Sequence, residues 1–419
     1  MQHTADEHDT GDEFMTVTSD RLGEVLRGLP FLLRKSLSIA AQLPVGTLDL
    51  TLPDGRRLRF AGTDPGPRAS LVIHDATCLR RFLIAGDVGF AEGYLQNEWD
   101  TPDLRALLLL FLANHMAGGQ LTLGRPGLRV WQRIRHFLNR NSRRGSRRNI
   151  HAHYDLGNDF YERWLDRSMT YSSAIFAPGD NDLESAQRRK YARLATETGI
   201  GPDDHVLEIG CGWGSFAEYA AREIGCRVTG LTISQEQYDH ATQRIAQAGL
   251  SDRVTIAMRD YRDETARYDR IVSIEMFEAV GEQYWQGFFE KMRACLLPGG
   301  RAGLQLITIR DEAFEAYRKE MDFIRTYVFP GGMLPSPSIM QKLSHGSGLP
   351  IVSDAGFALD YARTLAIWRE RFEAAWKEIA PLGFDERFRR LWNYYLTYCE
   401  VGFTTANIDV RQMVFARPA

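Results

Sequence analysis

The chain has 419 residues, 44% hydrophobic and 25% charged, so it exceeds the roughly 150 residues of one typical domain and is too apolar to be disordered over most of its length. Its 51 basic and 54 acidic residues leave a formal net charge of -3, which excludes a global field that recruits nucleic acid or an anionic membrane. Five scattered cysteines, Cys78, Cys211, Cys226, Cys295 and Cys399, form no CxxC pair, exclude a disulfide framework or a thiolate metal centre, and read as reduced thiols of a cytoplasmic protein.

Residues 1–18 are polar and acidic, predict a flexible tail, and lack the basic-then-apolar pattern of a signal peptide. Leu22, Val25, Leu26, Leu29, Leu32 and Leu33 recur near helical spacing, and Gly28 and Pro30 split that pattern into two short helices. Strands are predicted at 47–52, 57–60 and 70–73, the first two joined by the turn Pro53-Asp54-Gly55. Helices follow at 75–84, with Asp75 as N-cap, and at 104–115. These elements make a small mixed α/β domain over residues 19–132. Its longest apolar run, residues 106–113, is far below the roughly 20 residues that span a bilayer, so any membrane contact is peripheral.

Residues 133–149 form a basic linker carrying Arg133, Arg135, Arg140, Arg143, Arg144, Arg147 and Arg148. It reads equally as a solvated connector or as a contact for anionic lipid, where each cation contributes about 1 kcal/mol. Within 150–419, strands at 205–209, 227–231, 254–258, 270–274 and 302–307 alternate with helices at 215–224 and 235–248. That alternation specifies a parallel, doubly wound α/β sheet. After residue 309 the pattern is helical and aromatic, which places helical insertions and additions around the sheet.

Val206-Leu207-Glu208-Ile209-Gly210-Cys211-Gly212-Trp213-Gly214 puts a glycine-rich turn after an apolar strand and before a helix whose free N–H groups begin near Ser215. A dinucleotide loop would want an acid after the second strand, where Thr232, Ile233 and Ser234 stand instead. Gly210, Gly212 and Gly214 with Glu208 inside the strand better suit the S-adenosylmethionine loop of a class I methyltransferase; NAD binding and a structural turn are the alternatives. Asp260 and Tyr261, at the third strand end, are placed to offer a carboxylate to the adenine amino group and a ring to its face. Glu275-Met276-Phe277-Glu278 follows the fourth strand in place of the Asn/Asp-Pro-Pro-aromatic run of a nucleic-acid amino-methyltransferase, so no nucleic-acid partner is expected.

Together with His153-Tyr154-Asp155-Leu156-Gly157-Asn158-Asp159-Phe160-Tyr161, Met169-Thr170-Tyr171-Ser172-Ser173, residues 183–187 and 329–336, and Asp360-Tyr361, the chain resembles the cyclopropane-fatty-acyl-phospholipid synthases and the related mycolic acid cyclopropane synthases. Residues 70–104, notably Gly86-Asp87-Val88-Gly89-Phe90 and Trp99-Asp100, resemble the amino-terminal lipid-binding domain of the phospholipid enzymes. The resemblance implies S-adenosylmethionine as cofactor, with Tyr171, Ser172, Gly210, Gly212, Thr232, Gln237 and Tyr261 lining its site. It implies a phospholipid with an unsaturated acyl chain as substrate, a homodimer, and a place at the inner face of the membrane. A small-molecule methyltransferase on the same sheet is a further alternative.

Methylation of an alkene leaves a carbocation, so the site should exclude water and present aromatic faces; Tyr171, Phe277, Tyr327 and Phe329 are candidates. Ring closure then needs a base. The resemblance implies a bicarbonate ion held at Ser173, Glu278, Ile307, Ile309 and Tyr361. Serine and isoleucine stand here for the family's cysteine and histidine, and Ala279 for a further histidine, which weakens the anion site. Without such a base the cation yields a methyl-branched alkene or a methylene fatty acid.

Overall fold

The computed structural model describes residues 14–18, 21–116 and 156–419. The basic linker, most of the acidic tail and His153-Tyr154-Asp155 lie outside the described residues. The chain divides into two compact units, residues 1–128 and 129–419.

In the first unit, β1 (Met15–Thr16), β2 (Val45–Thr51), β3 (Arg57–Ala61), β4 (Asp64–Ile73) and β5 (Trp99–Asp100) form one sheet in the order β1-β3-β2-β4-β5. β2 and β3 pair antiparallel across the expected turn, where Gly55 takes φ 86° and its N–H donates to Leu52 O. Leu48, Leu50, Leu58 and Phe60 are buried from alternate positions of the two strands. Asp49 is buried too, held by the guanidinium groups of Arg59 at 2.6 Å and Arg68 at 2.7 Å. The side chain of Asp75 accepts the Thr77 N–H at 2.8 Å, and the helix that follows, Thr77–Leu95, runs beyond residue 84 through a kink at Gly86, φ 58° and ψ -136°.

The second unit holds β6 (His205–Ile209), β7 (Arg227–Thr232), β8 (Val254–Met258), β9 (Tyr268–Ile274), β10 (Leu296–Ile309), β11 (Ile351–Gly356) and β12 (Ile408–Ala416). Their order is β11-β12-β10-β9-β6-β7-β8. β6 to β10 pair in parallel, while β12 runs antiparallel to both its neighbours. The sheet is therefore mixed, and two of its strands lie in the stretch the sequence reads as helical. Asp409, Arg411 and Gln412 interrupt the apolar run of β12, and β11 alternates half-buried with exposed residues at the sheet edge. The π turn Ala220–Ile224 continues the helix Ser215–Tyr219.

Alternate strand residues feed two cores. Leu207, Ile271 and Leu304 pack on one face with Phe277, Phe288 and Phe289, while Val206, Val228 and Val272 pack on the other with Phe216 and Ala217. Burial on both faces is what a helix-covered parallel sheet requires. The helix Leu183–Thr198, N-capped by Asp182 and closed by Gly199 at φ 72°, lies on β10 so closely that a Cβ at Gly303 would run into the Thr198 hydroxyl and sit 3.0 Å from Leu194. Gly303→Ala is accordingly expected to destabilise the unit by about 1–3 kcal/mol. Thermal melting, with a fall of several degrees, is the check.

Candidate active site

The loop after β6 is built as a cradle. Gly210 and Cys211 both donate their N–H to Leu231 O, which pins the loop against β7. Gly210, Gly212 and Gly214 take φ 83°, 52° and 85°, the left-handed region that side chains rarely occupy. A Cβ at Gly210 would strike Met276 and one at Gly214 would press on Ala241, but at Gly212 it would meet nothing. The space beside Gly212 is thus open at the backbone. Glu208 is buried at the strand end with one carboxylate oxygen free of any partner; burial, opposed by Lys190, raises its pKa well above the usual range. Thr232 donates to Gln237 Oε1 at 2.9 Å. These features suit a nucleoside with a charged amino-acid tail.

Asp260 is less open to an adenine than the sequence suggests. Arg262 donates to both of its carboxylate oxygens, at 2.9 and 2.6 Å, so a purine amino group would have to share them. Tyr261 rests edge-on against Phe288 at 5.3 Å.

Beside this cradle lies a second cluster around two carboxylates. Glu275 follows β9 directly, at φ 50°. Its Oε1 accepts from Ser173 N–H and from Gln305 Nε2, both at 2.8 Å, and its Oε2 accepts from the Tyr361 hydroxyl at 2.6 Å. Glu278 lies one short turn further on, where its Oε1 accepts the Ile307 N–H at 2.5 Å and its Oε2 has no partner. Both residues lie deep in the unit and are half-buried overall, while the unpartnered Oε2 of Glu278 is itself buried. Burial, reinforced by the charge of Glu275, pushes the Glu278 carboxyl up to about 8. Burial also raises Glu275, against the hydrogen bonds from Tyr361 and Gln305 and the charge of Lys190.

The elements that deliver these groups hold one another. The helix Ala358–Ala374 carries Tyr361, accepts the Ala174 N–H on Thr364 Oγ1 at 3.2 Å and the Phe176 N–H on Asp360 at 3.0 Å, and so fixes the segment that presents Ser173. Gln305 on β10 also accepts from Gln412 on β12 at 3.0 Å. Lys190, fully buried on the helix Leu183–Thr198, donates to Ser172 Oγ at 2.7 Å, and burial brings its ammonium down to about 7 despite the charges of Glu275, Asp166 and Glu208.

Of the residues that the sequence proposes for an anion, the structure gathers Ser173 and Tyr361 onto Glu275 and gives Glu278 the Ile307 N–H. The Ile309 N–H donates to Pro335 O at 3.0 Å and is not offered to the site. Bicarbonate therefore does not fit as expected, because the donors at Ser173 and Tyr361 already serve a carboxylate of the chain. Among the aromatic candidates, Tyr171 touches Tyr161, Trp164 and Trp368 and meets the Tyr395 hydroxyl at 2.8 Å. Phe277 belongs to the core, enclosed by Trp285, Phe288 and Phe289. Glu275, Gln305 and Lys190 escaped the sequence reading. An acid directly after a sheet strand was the available signal for Glu275, whereas Lys190 follows two arginines and resembles a solvated helix face.

A family model described as mycolic acid cyclopropane synthetase matches residues 141–413. The chain belongs to this family. Across 363 residues, 84% of each chain, it is 40% identical to tuberculostearic acid methyltransferase UfaA1 of Mycobacterium tuberculosis. To the cyclopropane-fatty-acyl-phospholipid synthase of Escherichia coli it is 35% identical over 83% of this chain and 88% of that one. The structure of the mycolic acid cyclopropane synthase CmaA1, complexed with SAH and CTAB, aligns with a TM-score of 0.61 and 30% identity over 64% of this chain and 98% of that one. The fold is that of the class I methyltransferases, and the residues matched by the family model lie within the second unit.

Proposed function

We propose that this member of the mycolic acid cyclopropane synthetase family transfers a one-carbon unit to the cis double bond of an unsaturated acyl chain carried by a phospholipid. It is an S-adenosylmethionine-dependent enzyme of lipid cyclopropanation or methylation. The observation that carries the finer reading is the pair of deep carboxylates, Glu275 and Glu278, set beside an aromatic wall and next to the glycine cradle. A carboxylate in an apolar setting stabilises a carbocation, which an alkene generates and an amine or hydroxyl nucleophile does not.

The cofactor supplies the methyl group as an electrophile. Gly212 and its neighbours hold it, Tyr171 and the surrounding rings exclude water, and Glu278 offers its free oxygen to developing positive charge. A methylene or methyl-branched product is favoured over a ring, since the 40% identical relative is named for a fatty acid methyltransferase rather than a synthase of rings. Phospholipid as carrier is supported by the similarity to the Escherichia coli enzyme, which extends over 83% of the chain, whereas the mycolic enzyme aligns with 64%.

Peripheral attachment at the inner face of the membrane, and a homodimer, complete the proposal. No helix among the described residues is long and apolar enough to cross a bilayer. The deciding experiment incubates the protein with vesicles of cis-monounsaturated phospholipid and methyl-labelled S-adenosylmethionine, followed by gas chromatography and mass spectrometry of the released acyl chains. Label in acyl chains bearing one added carbon at the former double bond is expected. Label confined to head groups or to water-soluble acceptors would overturn the reading.

A further inference from the structure

We infer that Glu275 is a base built into the chain, taking the proton that the substrate carbocation sheds and replacing an exchangeable anion at that place. The inference rests on the proposed alkene chemistry and adds to it the residue that ends the reaction.

The geometry points to Glu275 in three ways. Its donors are those the resemblance gives to bicarbonate, Ser173 N–H and the Tyr361 hydroxyl, supplemented by the Gln305 amide. A second anion at that point would have no donors left and would face a carboxylate. The donors also leave one position open: an ionised carboxylate has about four acceptor sites, and Ser173 and Gln305 fill those of Oε1 while Tyr361 takes one on Oε2. The remaining lone pair of Oε2 is held in a fixed direction. Finally, Glu275 sits at φ 50°, a conformation that costs a residue with a side chain about 1–3 kcal/mol. A side chain kept there against strain, buried and held by three neutral donors, fits a positioned base better than a packing role.

The step balances without any further reagent. The alkene π pair forms the bond to the methyl carbon as the sulfur–methyl bond breaks with its pair on sulfur. A C–H bond on a carbon next to the cationic carbon then breaks, its pair forming the new C=C bond, or a C–H bond of the added methyl breaks, its pair forming the ring C–C bond to the cationic carbon; in either case the proton forms an O–H bond on Glu275 Oε2. The proton passes to water when product leaves.

The test compares the parent protein with Glu275→Gly and Glu275→Gln. Glycine accepts the positive φ without strain, so this variant should fold, and it clears a space lined by Ser173 N–H, Gln305 and Tyr361. Binding of isotopically labelled bicarbonate to the protein loaded with S-adenosylhomocysteine, followed by NMR, should appear in Glu275→Gly and be absent from the parent. In lipid turnover, the parent should be indifferent to added bicarbonate. Glu275→Gly should lose about 100-fold or more in bicarbonate-depleted buffer and recover as bicarbonate is added, while Glu275→Gln stays inactive under both conditions.

Bicarbonate binding to the parent, strong stimulation of the parent, parental turnover in either variant without bicarbonate, or the absence of both binding and rescue in Glu275→Gly would each overturn the inference. The binding arm uses no lipid. Its result stands even if the labelled methyl is found on a different acceptor, which would instead overturn the proposed substrate.

Discussion

Gly212→Val is expected to lower the affinity for S-adenosylhomocysteine by at least about 100-fold, a loss of close to 3 kcal/mol. Two effects add. Gly212 takes φ 52°, where a β-branched residue is a genuine outlier, so the loop would have to rebuild around it. The Cβ would also project into the open space beside the loop, where the proposed cofactor would lie against the backbone. Gly210 and Gly214 do not isolate this effect, because side chains at those positions collide with Met276 and Ala241 inside the protein. Calorimetry gives the affinity and circular dichroism verifies the fold. A folded variant with parental affinity would remove the loop from the cofactor site.

Glu278→Gln is expected to cost activity and raise stability together. Its Oε2 is buried without a partner, so ionising the group in the folded state is expensive, and its pKa rises from 4.5 to about 8. A carboxyl raised on folding contributes fully below its unfolded value, and the contribution is lost as pH climbs through the folded one. The parent should therefore weaken between about pH 5 and pH 8 relative to the variant, by roughly 2–4 kcal/mol at one unit of pH to about 1.4 kcal/mol. Glutamine keeps an oxygen for the Ile307 N–H and carries no charge. Turnover above about pH 8, where the parent carboxyl is ionised, should fall by about 100-fold or more through lost stabilisation of the cation, and by less at lower pH, where the parent carboxyl is itself uncharged. Urea melts at the two pH values and initial rates check both halves. A variant no more stable than the parent at pH 8 would show that Glu278 is not under this strain.

The glycine cradle was legible because several local signals coincide: an apolar strand buried on both faces, glycines at positive φ, and a helix start, all within ten residues. Ser173 and Tyr361 were legible only through resemblance, since nothing in Ser172-Ser173 or Asp360-Tyr361 alone shows what their side chains meet. Glu275 was quoted as sequence but not seen as a site, because an acid after a strand reads as a turn until Gln305 and Tyr361 are brought to it from 30 and 86 positions away. Strands β11 and β12 were missed for a related reason. Their polar residues, Gln412 above all, are satisfied by partners that local periodicity does not reveal.

That same glutamine sets a timetable for the molecule. Gln412 donates to Gln305 Oε1 across 107 positions and to Lys190 O across 222, and Gln305 in turn steadies the Glu275 carboxylate. On a ribosome, β6, the glycine loop and β7 emerge together, but the carboxylate cluster waits for β12, which enters between β10 and β11. A growing chain thus holds the glycine loop long before Gln305 meets its last partner, and the arrangement around the Glu275 carboxylate is completed by the insertion of one late, reversed strand.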